Sequence, residues 1–540
     1  MVIAHATKLS SAIAVLFQNK ATQGYNINMT NSNRTGIPTR RTSYWSGGVI
    51  AQEQGSVVKD WGWRLPVALV YPNRYYLGMS NLGCQVIYKM LNDRDDTVCE
   101  RIFWEGKQGP LESIESARSL GDYSCAAFSF SYELDYLNLA PMFKSADIPL
   151  NPAERTDDHP ILMAGGPAVT ANPTPLSPIF DVLAIGEAEA ILPAAVSIIA
   201  AGTHRSDTLR KLSSLPGLYV PSHHRGQPVK RQHLVSLDGS PAHSVVLTTD
   251  TELGELYLLE VERGCSWGCR FCLVSRAFCP TRFHTLDALL NQAKDGLKHR
   301  RRIGLVGPVV TDHPQIEELL SILHEMGAGF SLSSLRLKPL STSLLRLVHQ
   351  GGAGSIALAP EAGSERLRRL IGKGFNEDDI LGAVERAAIF KKLKLYFILG
   401  LPTETDEDAL GIAKLALQCK KLTDKVHISL NIAPFVPKAA TPFERFGMAH
   451  PSTLTRRLGL ISSNLRGSGI EVKSESPEWS QVQAALSRGD SRLAEVLSGI
   501  ETNSLAGWRR AVKNTGLDIA HYVNNDWGED ATLPWAMVEM

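Results

Sequence analysis

The stretch Arg263-Gly264-Cys265-Ser266-Trp267-Gly268-Cys269-Arg270-Phe271-Cys272 carries three cysteines, separated by three and then by two residues. Thiolates are soft ligands for iron or zinc, and three in one short loop converge on a single site when the backbone turns around it. Gly264 and Gly268 permit that turn. A cubane cluster has four irons, so three cysteines would hold three of them and leave the fourth open to a small molecule. Spacing alone leaves zinc and coincidence open beside iron. A structural zinc site normally closes four ligands, often as two Cys-x-x-Cys pairs, and no second pair is present. The nearest further thiol is Cys279, followed by Pro280.

The flanking chain says what this loop is mounted on. Glu255 to Val261 reads as a buried strand directly before it. Further strands are expected at Ile303 to Val306, Gly329 to Ser333, Ser355 to Ala359, Lys394 to Leu399 and His427 to Ala433. Amphipathic helices lie between them: Leu286, Leu289, Leu290, Ala293 and Leu297 share one face, as do Ile316, Leu319, Leu320 and Leu323. Thr285 suits the N-cap of the first and Gly327 the stop of the second. These strand–helix units predict a partial (β/α)6 TIM-like barrel over 255–445, with reactive groups at the carboxyl ends of its strands. The cysteine loop stands at such an end.

Upstream, short apolar runs at Leu65 to Tyr71, Thr97 to Trp104, Cys125 to Ser131, Pro160 to Ala164 and Asp181 to Ile185 alternate with segments long enough for helices. That is the pattern of a doubly wound, Rossmann-like α/β domain, expected over 60–205. Gly165-Gly166-Pro167 and Gly186-Glu187 follow two of these strands, either to let backbone approach a ligand or only to turn tightly. Residues 206–254 read as a polar connector. Residues 1–59, rich in Asn, Thr, Ser and Gly, read as a poorly ordered extension in which Met29 is an alternative start. Residues 446–540 read as a helical C-terminal region, broken at Gly489-Asp490, that covers the open side of the barrel or shapes its pocket.

The chain has 540 residues, 44% of them hydrophobic, enough for more than one core. With 56 Lys plus Arg against 55 Asp plus Glu, a net charge of +1 gives no support to a broad nucleic-acid surface. Eight cysteines in so long a chain do not form a disulfide framework, and no apolar run reaches the length needed to span a bilayer. A soluble, cytoplasmic protein without membrane partners is the expectation.

The cysteine spacing and Phe271 before the last cysteine resemble the cluster loop of radical S-adenosylmethionine (SAM) enzymes. Gly78-Met79-Ser80-Asn81-Leu82-Gly83, Gly165-Gly166-Pro167 and Asp181 to Glu187 resemble the cobalamin-binding-type Rossmann domain that precedes many of them. Residues 60–540 resemble an uncharacterised branch of that two-domain family. The resemblance implies a 4Fe-4S cluster on Cys265, Cys269 and Cys272, reductive cleavage of SAM to a 5'-deoxyadenosyl radical, hydrogen abstraction from an unknown substrate, and a reductant such as flavodoxin or ferredoxin. It assigns cofactor contacts to Phe271, Gly307 (amine), Ser333, Arg336 (carboxylate), Glu361 (ribose) and Leu401 (adenine side). Two departures stand out. Val306-Gly307-Pro308 replaces the usual Gly-Gly-Glu, and Pro72 to Gly78 lacks the histidine of Asp-x-His-x-x-Gly; Asp157-Asp158-His159 reads as a surface loop. A corrinoid held without that histidine, supporting methyl transfer, therefore stays open beside a domain that holds none. The competing readings are an iron-sulfur electron-transfer or sensing protein and an enzyme resembling tRNA methylthiotransferases.

Overall fold

The structure, a computed structural model, describes residues 49–540 apart from 107, 108, 203, 241 and 334. Met29 and most of the expected extension lie outside the described residues. Its last part, 49–59, belongs to the fold: Glu53 pairs with the buried Arg101 at 2.6 Å and Lys59 Nζ donates to the Arg94 carbonyl at 2.8 Å.

Five parallel strands build the first sheet: β1 (Leu65–Tyr71), β2 (Thr97–Phe103), β3 (Cys125–Ser129), β4 (Ile161–Gly165) and β5 (Val182–Ala184). Their order is β2-β1-β3-β4-β5, and a short antiparallel strand, β6 (Leu218–Tyr219), borders β5. The strands are apolar almost throughout because helices cover both faces. The two charged residues of β2 are satisfied in place: Glu100 accepts from Trp61 and Ser113, and Arg101 pairs with Glu53 and Glu115.

The order of such a sheet reverses between β1 and β3, where doubly wound folds open a ligand crevice. Here the neighbouring loops bond to one another, and beside them a cavity of about 1290 Å³ lined by Asn73, Trp104, Asn138 and Asn503 opens at the same strand ends. Asn81 donates to Ser131 at 2.8 Å, Asn73 to Asp135 at 2.7 Å and Asn138 to the Pro72 carbonyl at 2.8 Å. The glycine turns are equally occupied. A Cβ on Gly166 (φ +113°) would stand 2.3 Å from the Phe130 carbonyl oxygen, and one on Gly186 (φ +127°) 2.1 Å from that of Gln232. Close approach of the chain's own backbone is what requires glycine there.

The second set of strands is β7 (Leu256–Glu260), β8 (Arg302–Val306), β9 (Gly329–Leu332), β10 (Ser355–Glu361), β11 (Lys392–Leu399), β12 (His427–Pro434) and β13 (Glu471–Ser474). All pair in parallel, but in two sheets, β9-β8-β7 and β10-β11-β12-β13. The expected arc thus has a seam after β9, where the Phe330 N–H donates to the Gly351 carbonyl in the turn that leads into β10. It also gains β13, a half-exposed edge strand that the sequence reading assigned to the helical region. Helix Leu286–Leu297 is capped by Thr285, and Gly327 (φ +75°) follows helix Ile316–Glu325.

The barrel's inner face is covered from an unexpected side. Leu82 and Val86, on helix Leu82–Asn92 of the first domain, pack with Leu258 and Val306 of β7 and β8. The C-terminal helix Pro477–Arg488 lies instead against the first domain, where Gln483 accepts from Tyr132 and donates to Glu133, and Asn172 donates to the Gly489 carbonyl. Lys438 pairs with the same buried Glu133 at 2.6 Å. Among the described residues no helix is long and apolar enough to cross a membrane.

A buried charge cluster joins the domains at the base of the cysteine loop: Arg263 meets Glu187 at 3.0 Å, Glu189 at 2.9 Å and Glu260 at 2.8 Å, and Arg282 meets Glu187 at 2.6 Å. Truncating Glu187 would leave two guanidiniums without that partner in the interior, so Glu187→Ala is expected to lose about 3–5 kcal/mol of stability. Arg509→Ala, which breaks an exposed pair with Glu478, should move the unfolding midpoint little. Thermal unfolding followed by circular dichroism compares them; equal midpoints would show that the cluster does not hold the fold.

Candidate functional site

The cysteine loop leaves the end of β7 and is closed at its base by antiparallel pairing of Glu262–Arg263 with Arg282–Phe283. Gly264 (φ +90°) begins it where a Cβ would come within 2.4 Å of the Phe278 carbonyl oxygen. The loop is then pinned from outside. Arg270 donates its N–H to the Ile371 carbonyl at 3.0 Å and accepts at its own carbonyl from Phe443 at 3.1 Å. Leu273, Val274, Ala277 and Phe278 anchor the far limb in an apolar cluster with Trp535.

Cys265, Cys269 and Cys272 are all partly buried and free of disulfides. Burial pushes the Cys265 and Cys272 thiols up to about 12, with neighbouring cysteine sulfurs adding to the rise. Burial raises Cys269 as well, but Lys373 and Arg336 oppose the shift and Glu361 adds to it. Lys373 sits in the turn Gly372-Lys373-Gly374 that faces the loop and pairs with Glu361 at 3.4 Å. Although burial disfavours the Lys373 cation, Glu361 and then Cys269 and Cys272 hold it above the usual lysine range. Cys279 stands apart, donating to the Ser275 carbonyl, and Cys84, Cys99, Cys125 and Cys419 are buried as expected. Among the described residues no three His, Cys, Asp or Glu side chains close around a single ion.

The other expected residues gather at the same strand ends, though several are engaged differently than foreseen. Ser333 donates to the Gly307 carbonyl at 2.8 Å, so the expected amine acceptor already receives a hydroxyl proton. Arg336 stacks on the Trp267 ring, with its guanidinium carbon 3.0 Å from the centroid, and faces Asp312 at 3.6 Å. Asp312 also accepts from the Trp267 indole, so the pair clamps the cysteine loop to the loop after β8. Glu361 ends β10 with φ +64°, a left-handed conformation that costs strain in a residue with a Cβ, and a register shift just before it turns the strand end toward Lys373. Phe271 and Leu401 are buried together with Phe435 and Phe443 in an apolar wall beneath the loop. His159 lies in a surface turn bonded to Thr156, far from any such cluster.

Two carboxyl and ammonium groups escaped the sequence reading: Lys373 and Glu262. Glu262 is 1% exposed and lies against Gly307, where a Cβ would meet its Cγ at 2.7 Å. Burial pushes its carboxyl up to about 8, against the Val309 N–H that donates to it, and Asp312 and Glu260 add to the rise. Its one sequence signal was a pair of acidic residues, Glu260 and Glu262, in and just after a strand otherwise apolar enough to be buried.

Comparison with known proteins agrees with this layout. The family model "Radical SAM proteins, N-terminal" matches residues 83–221, and "Radical SAM superfamily" matches residues 259–416. An uncharacterized protein of Methanocaldococcus jannaschii is 32% identical over 80% of this chain and 90% of its own length. A threonylcarbamoyladenosine tRNA methylthiotransferase of Aquifex aeolicus is 23% identical over 47% of this chain and 60% of its own. Among solved structures, the radical SAM methyltransferase TsrM from Kitasatospora setae is similar with a TM-score of 0.50 at 11% identity, over 84% of this chain and all of that one. The cobalamin-dependent SAM radical enzyme OxsB also gives 0.50, at 16% identity, over 74% of this chain and 56% of that one. At such identities the two structures speak for the fold.

The thiol environments predict a reactivity order in metal-free protein. Cys265 and Cys272 should alkylate slowly, with rates rising about tenfold per pH unit between pH 7 and 9 as the thiolate fraction grows. Cys269, beside Lys373 and Arg336, should react first, and Lys373→Met should slow it. Timed iodoacetamide labelling read by mass spectrometry checks this; equal rates at all three positions would contradict the arrangement.

Proposed function

The chain belongs to the radical SAM superfamily and is an enzyme of that kind, and from that premise we propose that it binds a 4Fe-4S cluster through Cys265, Cys269 and Cys272. The observation that carries the reading is one loop of three partly buried, mutually interacting thiols at the carboxyl end of β7, faced by two cations. This donor set fits such a cluster: each thiolate would hold a different iron, and soft sulfur ligands suit iron. When bound, the cluster supplies one electron to the sulfonium of SAM and so starts radical chemistry.

The chain's own residues bind, orient and shelter. Lys373, kept charged by Glu361, offsets the negative charge of three thiolates that burial alone would keep protonated. Arg336 presents a guanidinium suited to a carboxylate, and its stacking on Trp267 fixes that guanidinium over the loop. Phe271 and Leu401 keep water from the wall beneath the thiols. The electron comes from a low-potential carrier such as flavodoxin or ferredoxin, and the substrate binds above the strand ends.

The first domain keeps a cavity of about 1290 Å³ at its strand ends, but offers a corrinoid few of the expected groups. The β1 loop offers no histidine, and the glycine turns after β4 and β5 are filled by the backbone of Phe130 and Gln232. Methyl transfer would need a corrinoid held in that cavity without a histidine from the β1 loop. The likeness to the methylthiotransferase covers less than half of this chain, and the region after β12 adds helices and one edge strand.

Anaerobic reconstitution with iron and sulfide, reduction by dithionite and addition of SAM should yield a brown protein that forms 5'-deoxyadenosine. In Cys269→Ala both the cluster absorption and the nucleoside should fall to background. A brown protein that never forms the nucleoside with candidate substrates present would mark an electron carrier or sensor instead, and a colourless zinc protein would refute the cluster.

A further inference from the structure

The seam between β9 and β10 leaves a gap in the barrel wall. These strands do not pair, and a cavity of about 200 Å³ opens between the two sheets, reaching from Lys394 near the start of β11 to Val306 and Ser333 at the ends of β8 and β9. Its walls are aliphatic, from Leu258, Leu332 and Ile356, and small residues, Gly304 and Ala357, face it from either sheet. The Ser333 hydroxyl is spent on the Gly307 carbonyl, which leaves Ser331, Ser355 and the Lys394 ammonium as the polar side chains of the cavity.

Lys394 is an unusual residue for this place. Along β11, Leu393, Leu395 and Phe397 enter the main core, while Lys392, Lys394 and Tyr396 alternate with them on the inner face, where Tyr396 packs on Ala357 and Ala359. Inner positions of such barrels are normally filled by branched apolar side chains. Burial disfavours the Lys394 cation, Lys392 and Lys473 oppose it further, and Glu252 gives some relief. Lys392 and Lys473 each pair with Glu471, at 3.5 and 3.2 Å, whereas among the described residues Lys394 has no ion pair. A half-buried cation on an aliphatic cavity, with like charges beside it, is stabilised by an anion that enters from outside the chain.

The lining also selects the anion. Among the described residues no arginine faces the cavity, so the bidentate fork that suits a phosphate is missing, and one ammonium with two hydroxyls matches a single carboxylate. At the ~30 Å³ share of one water, the space accommodates roughly seven non-hydrogen atoms, a short aliphatic acid or one arm of a larger molecule.

We propose that the seam cavity binds the substrate through a carboxylate on a short aliphatic arm, with Lys394 as its counter-ion and the rest of the molecule rising past Ser333 toward the strand ends. The inference rests on the radical SAM reading above for what happens at that upper end. It makes Lys394 a specificity-determining residue and gives the break between β9 and β10 a use, since paired strands would close the space.

Timed carbamylation by cyanate, read by peptide mass spectrometry on cluster-loaded protein, tests it with pentanoate, 1-pentanol and pentyl phosphate as probes. Pentanoate should slow labelling of Lys394 at least about fivefold and leave the exposed Lys391 unchanged, while pentanol should alter neither by more than about twofold. In calorimetric titration, Lys394→Met should weaken pentanoate binding about tenfold or more, the scale of a charge-assisted hydrogen bond. Ala357→Leu, which fills the cavity and keeps the lysine, should remove the protection if Lys394→Met does not fold. Equal protection by pentanol, stronger protection by pentyl phosphate, or unchanged affinity in folded Lys394→Met overturns the proposal. Displacement of pentanoate by saturating SAM would assign the cavity to the cofactor and overturn it as well. Protein that shows the protection yet never forms 5'-deoxyadenosine overturns the radical reading and keeps the acid site; nucleoside formation without the protection does the reverse.

Discussion

Arg263 is fully buried, and nearly everything else in the molecule is placed by how its charge is answered. Its guanidinium meets Glu187 and Glu189 of the first domain and Glu260 at the end of β7, while Arg282, across the base of the cysteine loop, meets Glu187 from the other side. Two cations and three anions shut away from the solvent surface are stable only as a complete set, because each bond is strong in this interior and each missing partner is costly. A hydrophobic plug could supply as much stability. It could not fix orientation, since apolar contacts tolerate rotation and sliding that bidentate ion pairs do not. The cluster therefore acts as a register mark, setting the loop that bears Cys265 against the turn that bears Gly186.

The first domain then reads as a buttress. Its turns at Gly166 and Gly186 are packed by Phe130 and Gln232, its crevice between β1 and β3 is bridged by Asn73, Asn81 and Asn138, and its helix Leu82–Asn92 lays Leu82 and Val86 on the inner face of β7 and β8. Through these contacts the domain holds its neighbour in place. The partial barrel needs this, because an open sheet of short strands exposes an apolar inner face that some other element must bury. Of the C-terminal region, helix Pro477–Arg488 braces the first domain through Gln483, while Arg457 of helix Pro451–Asn464 pairs with Glu404 of the barrel at 2.7 Å and Trp535 packs against the cysteine loop.

How far the sequence discloses this depends on whether the cause is local. The strands were legible because parallel strands covered on both faces must be continuous apolar runs, as Leu65–Tyr71 is and as β11 becomes from Leu395 to Leu399, and because Thr285 caps its helix through a bond three residues away. The cysteines were legible because their spacing is itself the chemistry. The seam after β9 was not, since whether two strands pair is not written in either one, and β13 was not, since Glu-Val-Lys-Ser has no strand pattern until β12 lies beside it. The engagements of Gly307, Arg336 and Glu361 escaped for the same reason: each is decided by a residue from another loop or turn, Ser333, Trp267 and Lys373.

The charges around the thiols show why those distant partners matter. Three thiols in a half-buried loop resist ionising, because each loses solvent and each feels the others. Uptake of metal removes the protons, but the resulting negative charge must still be tolerated where water is scarce. Lys373 meets that need from below and Arg336 from the side, and each is restrained by one acid, Glu361 or Asp312. Were those cations free, they would swing to solvent; were they paired more closely, they would lend little to the sulfur. The long separations, 3.4 Å for Lys373 and 3.6 Å for Arg336, leave both pairs loose enough to share their charge with what the loop holds.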